Sequence, residues 1–139
     1  MTFDCAAPAA LAEFWAFATG GQVQPPPAGF DTWSAALTAW GVPESEHDSR
    51  SAVIDPDGVT PRLFFQCVPE PKTAKNRVHL DLRAAPGLSG EERRAAIEAR
   101  AAELVARGAR VLNRLEPTAM DPELCLVMAD PEGNEFCLD

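Results

Sequence analysis

The chain has 139 residues, of which 46% are apolar and 24% charged, which is the size and composition of one folded domain. Its formal charge is −9, with 21 acidic against 12 basic side chains. The resulting field repels polyanions, so we expect no nucleic-acid partner. The N-terminal stretch carries Asp4 and Glu13 and lacks the basic region of a signal peptide. No apolar run approaches the ~20 residues of a membrane helix, so we expect a cytoplasmic protein with no membrane partner.

The four cysteines lie far apart and show no C-x-x-C spacing. This pattern argues against a structural zinc knuckle and against a disulfide framework. We therefore expect reduced, partly buried thiols at Cys5, Cys67, Cys125 and Cys137.

The chain begins with a short mixed segment, residues 2–5, that predicts a strand. Residues 7–21 follow with apolar side chains at helical spacing, and Gly20 can supply the left-handed turn that ends a helix. A proline-rich break then leads into a second, shorter helix over residues 31–41. Asp31 is its expected N-cap residue.

Two strands are predicted next, over residues 51–58 and 61–68, because β-branched and aromatic residues flank an Asp-Pro-Asp-Gly turn. Residues 69–76 are too rich in proline and charge to continue a sheet, and we interpret them as a linker. The linker lies near the midpoint of the chain.

The second half repeats this order. Residues 77–83 predict a strand, and residues 89–108 predict the clearest helix, with Ser89 and Glu92 spaced as a capping box. The final strands are expected within residues 109–115, 124–133 and 134–139.

Local matches indicate an internal repeat. The segments "VIDPDG" and "VMADPEG" match at a constant offset, and "AAP" occurs before both long helices. We predict one α+β domain over residues 1–139, with module one at about 1–68, a linker at 69–76 and module two at about 77–139. Each module would have the order βαβββ, with helices outside a mostly antiparallel sheet and a cleft between the modules.

The segments "APAALAEFW", "PRLFFQCVPEPKTAKNRVHLDL" and "ADPEGNEFCLD" resemble the vicinal oxygen chelate superfamily, which is also called the glyoxalase/bleomycin-resistance/dioxygenase fold. More narrowly, the chain is similar to glyoxalase-like domain proteins of unassigned activity. The resemblance implies a cupped mixed sheet of two βαβββ modules. In the metalloenzymes of the superfamily, His, Gln or Glu side chains on the first and last strands of each module hold a divalent metal.

The resemblance places His79 at the ligand position of the second module's first strand. Four residues after the turn glycine, where the family usually has glutamate, this chain has Cys137, and Glu135 lies two residues earlier on the same face. In module one the corresponding positions fall at Met1 or Thr2 and at Gln66. Only one of the four positions carries the expected strong ligand, so the cofactor is either absent or a divalent metal held by His79 and Cys137.

Two interpretations of His79 stay open. Strand alternation places His79 and Asp81 on one face, with Val78, Leu80 and Leu82 toward the helices. His79 is then either a ligand or general base tuned by Asp81 or Glu135, or a cleft histidine bonded to a neighbour. Cys137 is either a nucleophile, if a positive neighbour lowers its pKa, or a buried thiol.

Two further groups are candidates for substrate binding. Arg62 and Arg77, with the neighbouring lysines Lys72 and Lys75, could hold a carboxylate or phosphate, or could simply solvate the linker. Trp33 and Trp40 could line an aromatic pocket or pack in the core. We expect Gln66 and Asp81 to line the same cleft.

The resemblance implies a small-molecule ligand. The leading interpretation is a glyoxalase-like enzyme with lyase, isomerase or dioxygenase-like chemistry, in which His79 acts as base and Glu135 as its carboxylate partner. The alternative is a metal-free protein that sequesters a small molecule, as bleomycin-resistance members do. A homodimer would be consistent with an exposed sheet edge.

Overall fold

The structure is a computed structural model that describes residues 1–120 and 122–139. It divides into two compact units, Met1–Pro71 and Lys72–Asp139. Within the described residues, no helix has the length and apolar character needed to cross a membrane.

The first unit is a four-stranded sheet with one long helix. Its strands have the order β1-β4-β3-β2, with β1 parallel to β4 and the other pairs antiparallel. A short helix and a 3-10 turn, Glu44–Glu46, lie between β2 and β3. The elements are β1 Thr2–Cys5, α1 Pro8–Thr19, β2 Gln22–Val23, α2 Trp33–Ala39, β3 Arg50–Ile54 and β4 Leu63–Cys67.

The second unit has the same topology, with strand order β5-β8-β7-β6 and β5 parallel to β8. The predicted α+β class with two βαβββ modules is therefore confirmed. Its elements are β5 Leu80–Leu82, α3 Gly90–Val105, β6 Arg110–Leu115, β7 Cys125–Ala129 and β8 Glu135–Leu138.

Each unit buries one face of its sheet against its long helix. Helix α1 packs on β3 and β4, and α3 packs on β6 and β7. Alternation along the strands sends Phe65 and Phe136 to these helix-facing sides, where both are completely buried. In the first unit Phe3 lies 5.2 Å, ring to ring, from both Phe65 and Trp15. The other face of each sheet carries the polar residues.

The two Asp-Pro turns are held by their aspartates. Asp55 accepts hydrogen bonds from the backbone N–H groups of Asp57, Val59 and Thr60. Asp130 is completely buried and accepts from the backbone and side chain of Asn134 and from another backbone N–H. These are Asx turns, which explains why both repeats have aspartate there.

Several local predictions were wrong. The N-cap of α2 is Thr32, whose hydroxyl accepts from the Ala35 N–H, and not Asp31. Ser89 occupies the N-cap position of α3 but makes no capping side-chain hydrogen bond, so the capping box does not form. Strand β2 was not predicted, because two exposed residues give no periodic signal.

The first strand of the second unit is also shorter than predicted. It begins at Leu80, so the alternation does not extend back to Val78, which is 72% exposed and does not meet the helix. His79 lies immediately before the strand, and its contacts with Glu135 and Cys137 orient its ring.

Candidate functional site

The open face of β5 and β8 gathers the candidate residues of the second unit. The register places Asp81 opposite Cys137, and Glu135 lies two residues earlier on the same face of β8. His79 precedes β5 and reaches both β8 side chains. The segment before β5 also supplies Lys75.

His79 is held at both ring nitrogens. Its Nε2 lies 3.0 Å from Glu135 Oε2, and its Nδ1 lies 3.7 Å from Cys137 Sγ. The Lys75 ammonium forms an ion pair with the same Glu135 oxygen and lies 3.3 Å from His79 Nε2. The imidazole remains 23% exposed, so a ligand can reach it.

Glu135 is ionised in this arrangement. The hydrogen bond from Lys75 is the main cause that lowers its pKa; desolvation opposes it, and the Lys75 charge, the Asn76 backbone N–H and His79 add to the lowering. An ionised carboxylate only accepts hydrogen bonds. The Lys75 ammonium only donates, but it is already paired with Glu135, and its 3.3 Å approach to Nε2 is longer than the 3.0 Å contact of Nε2 with Glu135. We therefore assign the imidazole proton to Nε2, which leaves a lone pair on Nδ1.

Cys137 is a neutral thiol. Burial is the main cause that raises its pKa to about 12, with smaller contributions from the neighbouring Cys125 and Asp81. The hypothesis that a positive neighbour lowers this pKa was wrong, because burial is the largest effect on the thiol and raises its pKa. The thiol faces two acceptors, the Asp81 carboxylate and Nδ1 of His79.

The first unit repeats this register with different side chains. Gln66 lies opposite Asp4 and donates from Nε2 to Asp4 Oδ1 at 2.8 Å. Asp4 therefore corresponds to Asp81, and Thr2 corresponds to His79. Sequence reasoning missed Asp4, although aligning "TFD" with "HLD" across the repeat would have identified it.

Gln24, a residue that was not predicted, bonds both Arg62 and Trp33, and Trp33 in turn contacts Trp40. The Nε of Arg62 donates to Gln24 Oε1 at 2.8 Å, and the Trp33 indole N–H donates to the Gln24 backbone carbonyl at 2.8 Å. Trp33 and Trp40 are in edge-to-face contact with ring centroids 6.5 Å apart. They are 37% and 56% exposed, so neither belongs to the core.

The other two basic candidates, Arg77 and Lys72, belong neither to the cluster around His79 nor to the cluster around Gln24. Arg77 is exposed, and within residues 1–120 and 122–139 it forms no side-chain hydrogen bond or ion pair. Lys72 donates to the carbonyl of Ala74 in its own loop.

The residues at the four ligand positions do not fit a divalent metal. The register places Thr2, Gln66, His79 and Cys137 at these positions. In that order they offer a hydroxyl, an amide that is already bonded to Asp4, an imidazole and a neutral thiol. Glu135, the nearest carboxylate to His79, is paired with an ammonium. Among the described residues no group of three or more His, Cys, Asp or Glu side chains has ligating geometry.

Two βαβββ modules with polar open faces match the fold that the resemblance to the vicinal oxygen chelate superfamily implies. A profile of the glyoxalase-like domain family matches residues 1–138. The chain therefore belongs to the glyoxalase-like domain family. No curated protein sequence matches it.

Solved structures share the fold at low sequence identity. A glyoxalase/bleomycin resistance protein/dioxygenase family enzyme from Burkholderia phytofirmans superposes with a TM-score of 0.62 at 14% identity, over 99% of this chain and 93% of that one. The fosfomycin resistance protein FosX from Mesorhizobium loti gives 0.59 at 9% identity, over 99% and 86%. TioX from a Micromonospora species gives 0.52 at 10% identity, over 99% and 93%.

Proposed function

We propose that the protein acts on a small carbonyl compound and that His79 is the general base that removes a proton from the carbon next to the carbonyl. The observation that carries this proposal is the 3.0 Å contact between His79 Nε2 and the ionised Glu135 carboxylate. A carboxylate that accepts from one ring nitrogen orients the imidazole and leaves the other nitrogen to take up a proton, as a general base requires.

In the proposed step the C–H bond of the substrate breaks and its proton moves to Nδ1 of His79. The electron pair moves to the carbonyl oxygen, which becomes an enolate, while Nε2–H continues to donate to Glu135. The Cys137 thiol lies 3.7 Å from Nδ1, and because its pKa is about 12 it retains its single proton. In the proposed step that proton turns from Asp81 to the enolate oxygen. Return of the proton to the same or a neighbouring carbon gives exchange or isomerisation.

Hydrogen–deuterium exchange tests this step without knowledge of the natural substrate. The protein is incubated in D₂O with 2-oxobutyrate, hydroxyacetone or acetoin, and loss of the signal of the proton next to the carbonyl is followed by ¹H NMR. We expect exchange above the buffer rate with at least one of the three, and a loss of about 100-fold or more in His79→Ala. Glu135→Gln should reduce the rate less, because the imidazole remains.

The matched control is His47→Ala. His47 is the other histidine; its ring is bonded to Ser34 and to the Val42 carbonyl in the first unit, so its loss should leave exchange unchanged. Exchange at the buffer rate with all three compounds, or full exchange in His79→Ala, would overturn the proposal.

The second candidate is a metal-free protein that sequesters a small cationic molecule without turnover. It is supported by the poor metal-ligand set and by the net charge of −9, which attracts cations. FosX, which shares the fold, is named a resistance protein for fosfomycin, an anion, so fosfomycin serves as the contrasting probe. Calorimetry with bleomycin, a cationic glycopeptide, and with anionic fosfomycin tests it. Saturable binding of bleomycin, with the ligand recovered unchanged by mass spectrometry, would favour sequestration, and heat no greater than dilution would exclude it for these ligands.

A further inference from the structure

We propose that the first unit contains a binding site for a small aromatic carboxylate, formed by Arg62, Trp33 and Trp40 around Gln24. This site goes beyond the proton-transfer function proposed above and does not depend on it. Its residues all belong to Met1–Pro71.

The Arg62 guanidinium is fixed and still has donors to offer. Its Nε is bonded to Gln24 Oε1, and its central carbon lies 5.0 Å from the centroid of the Phe64 ring. These contacts orient the guanidinium by a hydrogen bond and a cation–π interaction. Within the described residues no hydrogen bond engages the two terminal nitrogens of Arg62, which is the pair of donors that a carboxylate accepts in a bidentate arrangement.

The tryptophans supply a flat apolar wall that is held in place. The indole N–H of Trp33 is bonded to the backbone carbonyl of Gln24, the same residue that fixes Arg62. Trp40 packs edge-to-face against Trp33 and against Phe30, with centroid distances of 6.5 and 6.0 Å. The guanidinium and the tryptophan wall are therefore connected through one glutamine residue and two hydrogen bonds of 2.8 Å each. A ligand with a ring and a carboxylate would bridge the wall and the charge.

Packing alone does not account for this arrangement. Helix α2, which lies between β2 and β3, buries only Ala36 and leaves both tryptophans exposed. Exposed tryptophans that are linked through Gln24 to an oriented arginine combine the two features that recognise an aromatic acid, a stacking surface and a paired donor.

NMR titration with matched probes tests the site. Phenylacetate carries both features, phenylacetamide lacks the charge and propionate lacks the ring; benzoate and 3-phenylpropionate vary the distance between ring and carboxylate. We expect saturable shifts of the Trp33 indole N–H and Arg62 Nε–H signals with at least one aromatic acid. Its affinity should exceed that of phenylacetamide and of propionate by about tenfold or more.

Variants separate this site from a general charge effect. Arg62→Gln should weaken binding of the aromatic acid by about tenfold or more, and Arg62→Lys, which keeps the charge but loses the paired donors, should also weaken it. Arg77→Gln removes an exposed arginine outside this cluster and should leave binding unchanged. A dispersed amide spectrum verifies that each variant is folded.

The proposal would be overturned if none of the three aromatic acids bound saturably, if acid and amide bound equally, or if Arg77→Gln weakened binding as much as Arg62→Gln. The readout is equilibrium binding at named signals of the first unit. Its failure is therefore distinguishable from a failure of the exchange experiment on His79.

Discussion

Asp4 and Asp81 occupy the same register position in the two modules. Asp4 lies opposite Gln66 and Asp81 lies opposite Cys137, and each of these partners directly follows the buried phenylalanine of the last strand in its module. Asp4 accepts from the Gln66 amide, and Asp81 accepts from the Cys137 thiol. Both carboxylates therefore hold neutral donors on the open face of a sheet. The modules differ two residues earlier, where the second module has His79 and the first has Thr2, so only the second carries an acid–base pair there.

The Cys137 thiol should resist alkylation. Because its pKa is raised to about 12, almost no thiolate forms between about pH 6 and pH 9. Iodoacetamide labelling followed by peptide mass spectrometry should modify the exposed Cys67 first and leave Cys137 unmodified. Asp81→Asn removes a charge that raises this pKa, so labelling of Cys137 should accelerate. Rapid labelling of Cys137 in the unmodified sequence would contradict this assignment.

The ion pair of Lys75 and Glu135 should make stability depend on pH. The pKa of Glu135 is lowered on folding, chiefly by Lys75, so the stabilisation is complete above the ordinary glutamate pKa and is lost as the pH falls through the lowered value. Lys75→Met should be less stable than the parent protein at pH 7 in urea unfolding, and the difference should vanish in strong acid. The control is Lys72→Met, because the Lys72 ammonium donates to the carbonyl of Ala74 in its own loop. A difference that persisted unchanged in acid would rule out this electrostatic origin.

The two Asx turns should differ in energetic importance. Asp130 is completely buried and accepts from the Glu132 and Asn134 backbone N–H groups and from the Asn134 side chain. Asp130→Ala leaves these part-buried donors unpaired and should cost at least about 1–3 kcal/mol. Asp55 makes equivalent bonds on an exposed turn, where water can replace it, so Asp55→Ala should cost less. Urea unfolding of the two variants gives both values, and the reverse order would be inconsistent with the burial of Asp130.

The equivalent phenylalanines of the two cores should contribute similarly. Phe65 and Phe136 are both completely buried against the helix of their unit. Phe→Ala at either position should cost about 3–5 kcal/mol, the range expected for deleting a buried aromatic ring. Denaturant unfolding with far-UV circular dichroism measures each cost. A cost below about 1 kcal/mol at one position would mean that its unit lacks the packed core described here.

Most of the fold could be predicted, because its long helices and paired strands bury one face and so leave periodic patterns in the sequence. Helix α3 and strand β8 are examples. The two-residue strand β2 could not be predicted, since it is exposed and is defined only by its pairing with β3.

The candidate site could be predicted only in part. His79, Glu135 and Cys137 were identified because strand alternation and the family pattern point to them. The role of Lys75 could not be recognised, because its partner Glu135 is 60 residues away in the chain. Gln24 was missed for the same reason: its side-chain partner Arg62 is 38 residues away.

The most direct test of the central claim is the tautomer of His79, measured by long-range ¹H–¹⁵N correlation on uniformly labelled protein at neutral pH. His47→Asn removes the other histidine, the only other source of imidazole signals, and so assigns the spectrum. We predict a proton on Nε2, which donates to Glu135, and a lone pair on Nδ1. A proton on Nδ1, with the lone pair on Nε2, would contradict the proposal that His79 offers Nδ1 as the base.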